Sequence, residues 1–180
     1  MKQPELTYRS AAVADFDQCL AIDHSYETQR IWQMTINQKP EAIGVRFQPL
    51  RLPQTTTIAY PYDREELPKR WWEAHWFLVG EQQSKIEAYA TAVLEALRPV
   101  AWVQDLAVTP VLRRRGYGSE LLSAAAQWAK QEQARFLMVA VPMKNDPAMI
   151  FLRKNGFTFC GYNEAQYKQR DIDLYFSTKL

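Results

Sequence analysis

Five residues in one short run, Arg113-Arg114-Arg115-Gly116 and Gly118, are the part of this 180-residue chain best suited to chemistry. Before them lies Val103-Gln104-Asp105-Leu106-Ala107-Val108, which reads as a strand; after them Leu121, Leu122, Ala125, Trp128 and Ala129 recur at helical spacing. A strand therefore runs into a loop, and the loop into a helix. Glycines at such a place let the backbone approach a ligand and present successive N–H groups. The following helix aims its first N–H groups and its positive dipole end at the same point. With three arginines beside it, this is a site for a pyrophosphate. A plainer reading is a basic turn whose glycines serve only the turn, and these residues by themselves do not separate the two. Two commoner phosphate loops are excluded: there is no G-x-x-x-x-G-K-[ST], and two glycines without an early βαβ do not make a dinucleotide fingerprint.

Other reactive side chains carry less. Cys19 and Cys160 are far apart in sequence and sit in no metal or redox spacing. Thr158-Phe159-Cys160-Gly161 reads as an apolar strand, so Cys160 is expected to be a buried small hydrophobe and not a nucleophile. His24 and His75 are too few for a histidine-rich metal site, and each reads as a surface or satisfied residue. No metal ligand set is predicted. Trp71, Trp72 and Trp76 either roof a pocket that stacks a cation or pack in the core, the reading preferred here. Asp63, Glu65 and Glu66 read as a solvated loop.

The elements that must hold the loop can be placed in order. Leu6 to Arg9 is a short strand, and Asp15 caps a helix with Phe16, Leu20 and Ile22 on its apolar side. Arg30 to Asn37 alternates as a strand, Pro40 and Gly44 mark a turn, and Val45 to Leu52 is its hairpin partner. Pro53 to Lys69 is read as a proline-rich loop with a short helical piece. Strands follow at Trp76 to Gly80, Ile86 to Leu97 and Val100 to Val108, with turns at Gln82-Gln83-Ser84 and Arg98-Pro99. After the helix that starts at Arg115 come a strand at Phe136 to Val141, a helix capped by Asn145 or Asp146 and closed by Asn155-Gly156, and strands at Thr158 to Gly161 and Asp173 to Ser177. The prediction is one α+β domain over 1–180.

Composition bounds the rest. Apolar residues are 47% and charged residues 23%, an ordinary globular balance. A formal net charge of +2 argues for neither nucleic acid nor a membrane surface. No leader segment and no span-length apolar run is evident, so the expected compartment is the cytoplasm, with both thiols reduced.

The loop resembles the GNAT superfamily of N-acetyltransferases. That family's signature is [Q/R]-x-x-G-x-[G/A] after a strand, and Arg113, Gly116 and Gly118 fill its places. Leu106, Val108 and Pro110 match its apolar strand with a closing V-x-P. Asn145, Ala148, Gly156 and Phe157 match its N-x-x-A and the G-F that ends the next helix. Sparser likenesses over most of the chain point to the streptothricin acetyltransferase branch: Leu20-x-Ile22-Asp23-x-Ser25-Tyr26, Val103-x-Asp105-Leu106-x-Val108, Gly156-Phe157-Thr158-x-Cys160-Gly161, then Tyr167 and Leu174-Tyr175.

The resemblance implies a mixed, mostly antiparallel central sheet of about six to seven strands, flanked by helices and splayed between two adjacent central strands. It implies acetyl-CoA as the acyl donor. The pyrophosphate would rest on the backbone of Arg114, Arg115, Gly116, Tyr117, Gly118 and Ser119, with Arg113 beside it. The pantetheine would lie along Leu106, Ala107 and Val108, facing Val139 to Val141, with Asn145 and Ala148 near its thiol end. The expected reaction is acetyl transfer to a primary amine of a small molecule, streptothricin-like or lysine-like, by direct attack. Asp105 would be the base or would bind the acceptor; its alternative is a structural pairing with a lysine or arginine. Val108 N–H would hold the thioester oxygen. The family's tyrosine acid falls at Leu152, which cannot donate a proton, so another hydroxyl, Tyr162 or the preferred Tyr167, substitutes, or water does, or the leaving thiolate needs no acid. Protein acetylation and non-catalytic acyl-CoA sensing stand as the other readings. Relatives in the family often dimerise, which makes a homodimer the expected partner.

Overall fold

The computed structural model describes residues 5–60, 65–164 and 171–180. Alternating strands with tight turns build most of it. β1 (Thr7–Ser10), β4 (Trp76–Gln82), β5 (Lys85–Leu94), β6 (Val100–Val108), β7 (Phe136–Pro142), β8 (Thr158–Asn163) and β9 (Asp173–Lys179) form one seven-stranded sheet in the order β1-β4-β5-β6-β7-β9-β8. Every neighbouring pair is antiparallel except β6 and β7, which run parallel because a helix crosses between them.

That crossover helix is α3 (Tyr117–Gln131). Its buried Leu121, Leu122, Ala125 and Ala129 lie at i, i+1, i+4 and i+8, a single apolar stripe. With α4 (Asp146–Lys154) it covers one face of the sheet, where Val103, Leu137, Met149, Leu152 and Phe176 are packed together. On the opposite face, α1 (Phe16–Ala21) and α2 (Leu67–Trp72) close over Val79, Ile86 and Tyr89.

The elements that differ from the sequence reading lie mostly in the second quarter. β2 (Tyr26–Lys39) and β3 (Ala42–Ile58) make a long hairpin as a separate two-stranded sheet. β3 continues to Ile58 through Pro49 and Pro53, where a loop was expected. Two-stranded ladders tolerate proline because each strand has a free edge, and the register jumps from Thr28 opposite Thr56 to Arg30 opposite Arg51, so Pro53 falls in the bulge. Asp15 does not cap α1 with its side chain; its carboxylate accepts from Ala12 N–H at 2.7 Å and from Arg9 at 2.6 Å. Cys160 is exposed, not buried, because β8 is an edge strand and the register slips between Phe159 and Gly161.

The three tryptophans are chiefly packing. Trp71 is buried against Phe16 and Tyr89, and Trp76 stacks on Trp128 at 5.9 Å; Trp72 is exposed. His75 Nδ1 accepts from Leu94 N–H at 2.8 Å and His24 Nε2 sits 2.7 Å from the Tyr89 hydroxyl, so both histidines are satisfied. Asp63 and Tyr167 lie outside the described residues.

Candidate active site

A seam opens in the middle of the sheet. β6 and β7 are paired only from Val100 opposite Phe136 to Val103 opposite Val139. Beyond that, β6 stays on β5 as far as Val108 and β7 stays on β9 as far as Pro142, so the two diverge. The divergence starts at a bulge. Thr91 faces Asp105 and Ala92 faces Val103, leaving Gln104 as the extra residue. The bulge shifts the alternation. Ala101, Val103, Leu106 and Val108 pack on the α3 side, whereas Ala107 packs on the α1 side and Asp105 bonds groups there. The side-chain oxygen of Gln104, Oε1, is buried with no partner among the described residues.

The backbone at the seam follows from strand geometry. Thr109 N–H donates to Glu87 O at 2.8 Å, so hydrogen-bonded pairs on that side continue at Ala107 and Asp105. Leu106 and Val108 must then turn their N–H and C=O groups the other way, into the seam. Ala107 offers the seam no backbone group, unlike its two neighbours.

At the end of β6 the loop turns in the left-handed region, with φ of 64° at Arg114 and 100° at Gly116. The first N–H groups of α3 to find a partner are those of Ser119 and Glu120, both on Gly116 O. Those of Arg114, Arg115, Gly116 and Gly118 have no backbone acceptor among the described residues, an arrangement at a helix start that suits an anion. A Cβ on Gly118 would lie 3.3 Å from the Phe151 ring, so this glycine lets α3 approach α4 closely. Tyr117 is buried. Arg114 and Arg115 are exposed in the loop.

Arg113 does something the sequence did not reveal. Its Nε donates to Val108 O at 2.9 Å, one amino group to Ser25 O at 2.7 Å, and the other to Asp23 O. Burial lowers its pKa from the ordinary arginine value. The guanidinium braces the loop against Asp23–Ser25 and is engaged by three carbonyls. Asn145 is likewise occupied as the N-cap of α4, its Oδ1 accepting from Ala148 N–H at 3.1 Å.

The segment that Arg113 grips continues into β2 and crosses the mouth of the seam. On the β7 side, Trp32 N–H donates to Met143 O at 3.0 Å. Trp32 Nε1 and Arg30 Nε donate to the buried carboxylate of Asp146 at 2.9 and 3.0 Å. Two cavities adjoin this strap. One of about 660 Å³ is lined by Arg114, Asp146 and Pro147 together with Thr28, Arg30 and Arg51. The other, about 270 Å³, is lined by Tyr26, Ile58, Tyr60, Pro142 and the Lys144–Asp171 ion pair.

Asp105 is 4% exposed and is bonded to Tyr60, one of the residues that line the smaller cavity. Tyr60 O–H donates to one carboxylate oxygen, and Thr91 Oγ1 donates to the other at 3.2 Å. Arg70 NH1 stands 3.6 Å away and its NH2 donates to Gln104 O at 3.3 Å. Burial, then the charge of Asp105, pushes the Tyr60 and Tyr89 phenols well above the usual range. Sequence reasoning found Asp105 but none of Tyr60, Arg70 or Thr91. The pairing of Thr91 with Asp105 could have come from counting the β5–β6 hairpin outward from its turn; the others had no periodic signal.

Leu152, at the tyrosine place of the motif, is 2% exposed within the α4-side core. Leu152→Ala is expected to lower unfolding free energy by about 2–4 kcal/mol, read by chemical denaturation, as for other buried leucines.

A sheet opened between two parallel neighbours, with an amide-lined loop at the open end, defines an acyltransferase that binds a nucleotide-bearing thioester. The comparisons agree. The profile of the Acetyltransferase (GNAT) family matches residues 46–157. Streptothricin acetyltransferase of Streptomyces lavendulae is 24% identical over 166 residues, covering 89% of this chain and 86% of that one. The crystal structure of nourseothricin acetyltransferase superimposes with a TM-score of 0.81 at 22% identity, over 97% of this chain and 98% of that one. A candidate streptothricin acetyltransferase from Bacillus anthracis, solved with acetyl coenzyme A, gives 0.74 at 19% identity, over 98% and 100%. The chain belongs to the acetyltransferase (GNAT) family, and it is an acetyl-CoA-dependent acetyltransferase. Among the described residues, no helix is long and apolar enough to cross a membrane.

Proposed function

We propose that the protein transfers the acetyl group of acetyl-CoA to a primary amine of a small molecule, of the streptothricin or lysine-like kind, by direct attack and without an acyl-enzyme. One observation carries this reading: the smaller cavity reaches the β7 wall of the open seam at Pro142 and is lined by Tyr60, whose hydroxyl donates to Asp105 on β6. At about 270 Å³ it suits an amine-bearing arm rather than a folded polypeptide surface, and Asp171 gives it a carboxylate. The likeness to the S. lavendulae enzyme supports the same acceptor class.

The residues present fit the donor. The N–H groups of Arg114, Arg115, Gly116 and Gly118 suit a pyrophosphate, and the seam-facing groups of Leu106 and Val108 suit the amides of an extended pantetheine. Ala148 and the start of α4 would line the far side. Val108 N–H is the group placed to hold the thioester oxygen as charge develops there. Neither cysteine supports a covalent route. Cys19 is buried and its pKa is pushed up to about 12, first by burial, while Cys160 lies on β8, separated from β7 by β9. The working compartment would be the cytoplasm, where acetyl-CoA is made, and the homodimer expected of the family is part of the proposal.

The test is thiol release from acetyl-CoA against a panel of amines: streptothricin, lysine, a diamine, a lysine-containing peptide and a peptide with a free N-terminus. Acceleration by the small amines alone is expected. Acceleration by the peptides alone would replace this acceptor class, and tight CoA binding with no acceleration by any amine would make the protein a sensor.

A further inference from the structure

Among the described residues, Tyr60 is the one polar group that belongs both to the smaller cavity and to the buried carboxylate cluster. Its ring lines the cavity beside Pro142, while its hydroxyl donates to Asp105. Asp105, 4% exposed, already bonded by Thr91 and flanked by Arg70, does not line the cavity, whereas its partner Tyr60 does. An acceptor nitrogen in that cavity therefore meets the tyrosine before the aspartate.

We infer that Tyr60 is a catalytic residue, passing the proton of the attacking nitrogen to Asp105. This deepens the proposed function and rests on it for the placing of the acceptor. As the nitrogen forms its bond to the acetyl carbon, it gives up a proton to Tyr60 Oη, and the hydroxyl proton of Tyr60 moves to Asp105 in the same event. The carbon–sulfur bond then breaks with its electron pair on sulfur, and the proton returns by the same path to the thiolate. Concerted movement is required because burial and the charge of Asp105 disfavour a free tyrosinate. The groups around this path are Asp105 on β6, Thr91 and Tyr89 on β5, Arg70 on α2, and His24, whose ring lies 5.1 Å from that of Tyr60. Tyr26, Lys144 and Asp171 face it across the cavity. The arrangement also gives the reaction a proton carrier although Leu152 stands where the family has its tyrosine.

The experiment is Tyr60→Phe with solvent-isotope analysis. The variant is expected to lower kcat on the order of 100-fold, the low end for a proton-transfer group, with the KM for acetyl-CoA unchanged. The dependence of wild-type kcat on the fraction of D2O should be curved, reporting two protons in flight, and that of the variant linear. Thr91→Val strips the same carboxylate of a hydrogen bond without touching the cavity; it should lower kcat less and keep the curvature. A Tyr60→Phe enzyme within a few-fold of wild type overturns the inference. So does a Thr91→Val loss equal to that of Tyr60→Phe, which would show that the tyrosine merely holds Asp105. Water can stand in for the amine, so slow acetyl-CoA hydrolysis without acceptor reads the same path. If every amine fails but hydrolysis keeps the Tyr60 dependence, the acceptor class falls and the proton path stands.

Discussion

Replacing Gly116 by glutamate abolishes CoA binding while leaving the chain folded. Gly116 is the N-cap of α3 with φ of 100°, and a Cβ there meets only Glu120 Oε1 at 3.8 Å. The added side chain is not blocked by neighbours, so its effect comes from strain and charge. Placing a side chain in the left-handed region costs about 1–2 kcal/mol, a local loss a folded domain of this size survives. The charge is more serious. The carboxylate would stand at the start of α3, the place proposed for the diphosphate. Two like charges about 5 Å apart repel by about 3 kcal/mol at an effective dielectric of 20, which is on the order of 100-fold in Kd for a single pair. The pyrophosphate carries more than one charge. Calorimetric titration with CoA should show no binding at concentrations that saturate the wild type. Gly116→Asn, which tolerates positive φ without a charge, should keep most of the affinity. Equal losses in the two variants would point to backbone strain, and unchanged affinity in the glutamate variant would move the phosphate site elsewhere.

The sheet strands around this loop were legible because they alternate and are joined by short turns. Gln83 and Ser84 both take positive φ at the β4–β5 turn, and Arg98-Pro99 closes β5 onto β6. The crossover helix was legible from its apolar stripe. The seam itself was expected only from the family resemblance, not from residue patterns. An open seam consists of hydrogen bonds that are not made, and the bulge at Gln104 leaves no composition signal. Long-range polar contacts were equally silent. Nothing in Pro53 to Arg70 marks Tyr60 or Arg70 as neighbours of Asp105, because the segment after β3 and α2 deliver them from unrelated stretches of chain. The arginines show a third kind of limit. Charge density pointed to the loop, yet Arg113 braces it by bonding three carbonyls, a role that depends on where Asp23–Ser25 runs. Pro53 misled for a related reason. A proline argues against a central strand, but β3 has only one partner and so escapes the rule.

The same hairpin supplies the last prediction. An isolated two-stranded hairpin is marginal in water, so β2 and β3 depend on what they dock against. Their anchors are few: Phe47 against Phe159 and Tyr162 at 5.5 and 5.4 Å, Arg153 over the Trp32 ring at 5.1 Å, and the bonds of Arg30 and Trp32 to Asp146. Asp146→Ala removes the last of these and leaves a half-buried indole N–H unpaired. Because Arg30 is half exposed it can rehydrate, so the cost is about 2–3 kcal/mol, that of the lost charge-assisted bonds and not of a fully buried pair. That loss should fall on the hairpin, speeding amide exchange across Tyr26–Ile58 by roughly 30–100-fold, while β5, β6 and α3 exchange as before. Tyr26 and Ile58 line the acceptor cavity, so the KM for the amine should rise more than that for acetyl-CoA. Asp146→Asn keeps an acceptor for Trp32 and should show a smaller version of both effects. Uniformly faster exchange throughout the chain would mean that Asp146 supports the whole fold, and unchanged exchange in the hairpin would mean that the aromatic contacts hold the strap without it.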